Sequence, residues 1–217
     1  MRAPVRLSIL GPCLLAITAI GPTTAARAQE VIDNETVSVP GDEPNPWNIG
    51  DDIVVGEFGT GTLNITAGGV VLSASGTLGD DPGSSGTVNA TGLGALWDLN
   101  TENLYVGNDG SGALLISGGA HVEGVYSTYI AYGGSSTSTV TVTGGFSQLI
   151  MSNDIFVGQA GSGTLNVTAG GTFTAPTMRG SARKREPSAR RPSREEIRFG
   201  KWVPNWSSAL AARERSR

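Results

Sequence analysis

The stretch DIFVGQAGSGTLNVTAGG, residues 154–171, has the glycine spacing of a phosphate-binding loop. Whether these glycines hold a ligand or turn a chain decides how the whole sequence is read. Nearly the same run stands twice upstream, as DIVVGEFGTGTLNITAGG from Asp52 to Gly69 and as NLYVGNDGSGALLISGGA from Asn103 to Ala120. Both steps are 51 residues. A phosphate loop needs a lysine and the start of a helix, which supply charge and aligned N–H groups. No Lys or Arg lies between Gln29 and Met178, and no helical period follows the glycines. A glycine pattern that recurs without these partners is scaffold.

Aligned column by column, the three copies give apolar sets at Ile53/Leu104/Ile155, Val55/Val106/Val157, Leu63/Leu114/Leu165 and Ile65/Ile116/Val167. Within a copy these positions lie two residues apart, the period of a strand with one buried face. Gly56/Gly107/Gly158, Gly59/Gly110/Gly161 and Gly61/Gly112/Gly163 fall between the strands and read as turn positions. A weaker second half lies between the copies: LGDDPGSSGTVNATG at 78–92 and YGGSSTSTVTVTG at 132–144 share a Gly/Ser turn, a Thr/Val strand and a closing Thr-Gly. Each unit therefore holds two coils of roughly 25 residues, the length of one solenoid rung. Short β-branched strands, glycine turns and a fixed period predict an all-β parallel solenoid of about six coils, with like residues stacked inside.

The first 28 residues carry Arg2 and Arg6, an apolar stretch from Leu7 to Ile20, and small residues ending in Ala26-Arg27-Ala28. This is the order of a secretory signal peptide cleaved after Ala28, and the apolar stretch is too short to span a bilayer. Cys13 is the single cysteine. Lipidation there would cut the apolar region in half and would need a proline directly before the anchor, so Cys13 is expected to leave with the signal. The mature chain then has no disulfide, thiol nucleophile or transmembrane segment.

Charge is unevenly spread. Of the 15 Lys and Arg, three lie in the leader and twelve in 179–217, while 29–178 has none and holds fifteen of the 19 Asp and Glu. An acidic body repels polyanions, so nucleic-acid binding by the repeats is not expected.

VGxxGSGTLNVTAGG, followed in each unit by a segment like GSSGTVNATGLGALW, resembles the autotransporter passenger-associated repeat, which also occurs in proteins with PEP-CTERM sorting signals. The likeness covers roughly residues 45–175. It implies a right-handed parallel β-helix in a passenger exported by type V secretion, a passenger normally followed by a translocating β-barrel. After residue 175 neither barrel strands nor a PEP-CTERM-type ending appears, and the text becomes RGSARKREPSARRPSREEIRFGKWVPNWSSALAARERSR. Three readings of it stand: codons read out of register in a truncated gene, a disordered basic tail that binds anionic or acidic partners, and a small cap. The expected organisation is a signal peptide at 1–28, a lead-in or cap at 29–51, repeats over 52–176 with units starting at 52, 103 and 154, and a basic tail at 177–217.

No catalytic, cofactor or metal site is assigned. His121 is the only histidine and shares a column with Val70 and Thr172, beside the apolar Val71/Val122/Phe173, so it should face solvent. Asp80, Asp81, Asn108 and Asp109 lie in turns, where Asp and Asn are favoured anyway, and lack the spacing of a calcium repeat. Asn64 and Asn166 share a column interrupted by Leu115, which weakens an asparagine ladder, and the NIT, NAT and NVT sequons read as strand chemistry. Trp97 reads as core or coil-edge packing. The expected function is a secreted or surface-displayed structural or adhesion segment. Glycans or surface polymers are its expected partners, and the solenoid ends are expected to self-associate. Without a barrel the product would stay periplasmic. The alternatives are a polysaccharide-active β-helix enzyme and a non-functional remnant of a longer autotransporter. The enzyme is disfavoured because the rod lacks a basic residue to serve as base or anion clamp.

Overall fold

A computed structural model describes residues 29–180. The leader and the segment 181–217, with the readings placed on them, lie outside the described residues. Every described element is a short strand, and the strands form three parallel sheets of seven, six and six members. Each sheet takes every third strand of the chain, so the backbone winds through the first, second and third sheet in turn and then starts again one rung up. The result is a parallel β-solenoid of six coils, at residues 30–48, 53–72, 76–98, 104–125, 128–151 and 155–174, with a seventh begun by Met178–Gly180. The segment 29–51, expected to be a lead-in or cap, contains the first coil, since Glu30–Ile32 pairs with Ile53–Val55 and Thr36–Val39 with residues 62–65.

Stacking is what the sequence columns encode. Ile32, Val55, Leu78, Val106 and Ile130 lie one above another, with no exposed surface. Leu63, Val88, Leu114 and Val140 repeat the arrangement in the second sheet, as do Ile65, Ala90, Ile116 and Val142. Strand residues of alternate parity face outward and are mostly Thr, Ser or Asn, the period-2 division of a half-buried strand. β-Branched side chains suit this geometry because their restricted χ1 packs on a pleated surface.

Two kinds of glycine serve the winding. Gly56, Gly79, Gly107 and Gly158 sit at equivalent corners with φ between 67° and 79°, and Ala131 holds that corner in the fifth coil at φ 57°, in a region that costs a side chain about 1–2 kcal/mol. Gly61, Gly112 and Gly163, expected as turns, instead lie within strands and face inward. A Cβ on Gly61 would collide with the carbonyl oxygen of Ile32 on the rung below. The requirement there is close backbone approach, not positive φ.

The 51-residue unit has a packing reason. One inward column of the first sheet runs Ile53, Gly76, Leu104, Thr128, Ile155, so large residues alternate with small ones. In the third coil Trp97 reaches across from the opposite sheet into the gap: a Cβ on Gly76 would sit 2.6 Å from its ring. Trp97 is fully buried, and its Nε1–H donates to Ser73 Oγ at 2.9 Å, which satisfies its one polar atom. Trp97 is therefore a core residue, one of the two alternatives the sequence left open.

Candidate functional site

The described residues of the rod present their polar and aromatic side chains on outward columns. On the outer face of the first sheet, parallel pairing sets Tyr105, Tyr129 and Phe156 in register. Their rings stack along the rod, with centroids 4.9 Å and 4.8 Å apart and planes within 9° and 1°. Arg179 closes the column: its guanidinium lies 5.9 Å from the Phe156 ring and pairs with Asp154 at 3.0 Å. Tyr129 and Phe156, covered on both faces, offer edges to solvent. Burial pushes the Tyr105 hydroxyl pKa up, with Tyr129 and Tyr132 adding to it and a hydrogen bond with Asn103 opposing.

Tyr132 differs. It lies at the corner after Thr128–Ile130, 5.6 Å from both Tyr105 and Tyr129 and at 88° to each. It therefore receives their edges on one face and turns the other to solvent, with 40% of its surface exposed.

This corner, between the first and second sheets, also gathers the acidic turns noted in the sequence. Backbone bonds run rung to rung through it, from Asp80 N–H to Gly56 O, from Asn108 N–H to Gly79 O and from Tyr132 N–H to Gly107 O. They align Glu57, Asp80, Asn108 and Tyr132, with Phe58, Asp81, Asp109 and Gly133 beside them. Asn108 donates through Nδ2 to Asp80 Oδ1 at 2.9 Å. Asp109 is exposed, and its carboxylate occupies the space a side chain at position 133 would fill. The four residues weighed as calcium ligands are thus together, on two adjacent rungs. Among the described residues, no group of three or more His, Cys, Asp or Glu is placed to share a metal ion.

His121 points outward from His121–Val125, half-buried, beside a shallow depression of about 190 Å³ lined also by Val70, Leu96 and Glu123. Asn89 donates to Asn64 Oδ1 at 3.0 Å, so an asparagine pair does exist, between adjacent coils, and ends at Leu115. The aromatic column, like this pair, joins residues from the two halves of the repeat. Its Tyr105 and Phe156 share a column at a spacing of 51, but Tyr129 between them does not, and an alignment at about 25 would have exposed the whole stack.

No family model matches the chain, and no solved structure matches it. Over 146 residues it is 32% identical to an Escherichia coli (strain K12) lipoprotein, YdeK, described as uncharacterized. The match takes in 61% of this chain but 10% of the relative, so the chain spans about a tenth of that protein's length. Among the described residues no helix is long and apolar enough to cross a membrane.

Proposed function

We propose that this chain is an exported, surface-displayed β-solenoid segment with a structural or adhesive role, built like the passenger of an autotransporter. The observation that carries the reading is the division of labour along each strand. Inward columns hold the rod, while outward columns such as Thr91, Ser117, Thr143 and Thr168 offer repeated hydrogen-bonding groups rung after rung. The leader-like first 28 residues and the similarity to a lipoprotein both support export. Protease treatment of intact producing cells tests it: the repeats should be cut without lysis, and cutting only after lysis would overturn surface display.

The relative's name favours a second form of the same reading, in which Cys13 carries a lipid anchor and is retained. Mass spectrometry of the mature N-terminus separates the two, since cleavage after Ala28 leaves Gln29 first and lipidation leaves modified Cys13. The reading assigns no catalysis to the rod. Among the described residues, the one ion pair that brings a base-like cation to a carboxylate is Arg179 with Asp154, at the rim. Release of sugar from a polysaccharide panel by the purified chain would move the reading to an enzyme.

A further inference from the structure

We infer that the corner between the first and second sheets is a binding strip for an uncharged glycan chain, a conclusion that rests on the adhesive reading and gives it a site. Two aromatic rings bracket the strip. Phe58, 69% exposed, stands in the turn of the second coil, and the free face of Tyr132 stands in that of the fifth. Three rung steps separate these turns, about 14 Å along the rod. A short oligosaccharide can therefore reach both.

Between the rings the two intermediate rungs present no large apolar side chain. They carry Asp80 with Asp81 and Asn108 with Asp109, of which Asp81 and Asp109 are exposed. Pyranose rings have an apolar C–H face and a rim of hydroxyls. The face matches an open aromatic surface, and the hydroxyls match carboxylates and amides that accept and donate in fixed directions. Glu57 and the aspartates make the strip negative, and no Lys or Arg occurs in 29–178. Uronates, sulfated glycans and nucleic acids are repelled there, which leaves a neutral sugar polymer.

The strip is rigid for a reason visible in the backbone. Each turn donates to the carbonyl groups of the one below, from Asp80 to Gly56 and on to Gly133 N–H, which donates to Asn108 O. Spacing is therefore set by the solenoid and little ordering cost falls on binding.

The test uses the mature chain, 29–217, in affinity electrophoresis through gels containing soluble glucans, mannans, galactans or a polyuronate. Retardation by at least one neutral polymer is expected, undiminished in raised salt. Tyr132→Ala and Phe58→Ala should each weaken it about tenfold, as truncation of an aromatic contact does. Asp109→Asn should weaken it less, and Tyr126→Ala, exposed at another corner, not at all. Unchanged melting temperatures confirm that all four variants fold. The inference is overturned by no retardation in any neutral polymer, by retardation that survives loss of both rings, or by salt-sensitive retention in the polyuronate alone. The last would place binding on the Lys and Arg of 179–217. Capture of a peptide partner through Tyr132 and Phe58, with no glycan bound, also overturns it. Because binding is read on purified protein and display on intact cells, failure of one is distinguishable from failure of the other.

Discussion

The two ends of the rod are built from the same repeat and finished in opposite ways. In the first coil, Ile32 and Val39 have no exposed surface, and Val37 and Trp47 have less than a tenth. In the sixth, the equivalent strands 162–168 and 172–174 contain no buried residue, and Val157, Leu165 and Phe173 are only partly covered. Chemistry reinforces the difference. The first coil carries Pro40, Pro44 and Pro46, which have no N–H to offer, and Glu30, Asp33, Glu35, Asp42 and Glu43. Asn45 bonds both Gly68 O and Val70 N–H, standing in for a rung of backbone. Prolines and charge are the usual protection of a sheet edge. The sixth coil has neither, apart from Asp154, so among the described residues its second and third sheets end in an unpaired edge, while Met178–Gly180 covers the first. The lesson is that a repeat specifies stacking, and departures from the repeat specify where stacking stops.

Core truncations should break or sharpen this comparison most strongly. Trp97→Ala in mid-rod should cost about 3–5 kcal/mol, and Trp47→Ala at the closed end nearly as much. Phe173→Ala at the open end should cost about 1 kcal/mol, because most of its transfer energy is not realised. Urea unfolding measures all three. Equal losses at both ends would mean that the sixth coil is covered after all.

Next in size is the coupling of Gly76 to Trp97. Gly76→Ala should cost about 1–3 kcal/mol through overpacking and nearly nothing in a Trp97→Leu background, a double-mutant cycle that reads the pair directly.

Self-association follows from the same asymmetry. One open edge and one protected edge should give a closed pair joined through two sixth coils, not a fibre. Sedimentation of 29–217 over a concentration range should show monomer and dimer only, and Leu165→Lys should leave monomer. A ladder of larger species would mean that both ends join, and strict monomer would mean that neither does.

Smaller effects lie within and at the edge of the core. Thr128 takes a small-residue place in the first inward column, fully buried, with its hydroxyl unpartnered among the described residues. Thr128→Val should stabilise by about 1 kcal/mol. At the closed end, Glu30 has its pKa raised by burial first and by Glu43 and Glu35 second. An acid whose folded pKa is raised binds more protons folded than unfolded, so its destabilising effect is absent below the unfolded pKa. The cost appears as pH rises through the folded value. Glu30→Gln should remove it, raising stability at neutral pH by no more than a few tenths of a kcal/mol after solvent screening, with little change in acid. A melting-temperature profile against pH checks the sign.

Much of this was legible in the sequence, because apolar alternation and a fixed period leave few other folds. The parallel solenoid, its six coils and the outward placing of His121 followed from columns alone. What escaped is what lies between the two halves of a unit. Tyr129 and Asn89 have no counterpart at a distance of 51, yet they stack on Tyr105 and bond Asn64 at the coil spacing. The Trp97–Gly76 fit escaped for another reason: it joins opposite walls of the interior, and no one-dimensional period encodes a contact across the core. The protection of the first coil was readable in principle from its prolines and acids, but only after that segment was known to be a rung.

Hydrogen exchange read by mass spectrometry on dilute mature chain tests the central claim, that among the described residues the rod is closed at its first coil and open at the second and third sheets of its sixth. Amides of 36–39 and 47–48 should exchange nearly as slowly as those of the middle coils, and amides of 162–168 and 172–174 much faster. Equal protection along all six coils would contradict it.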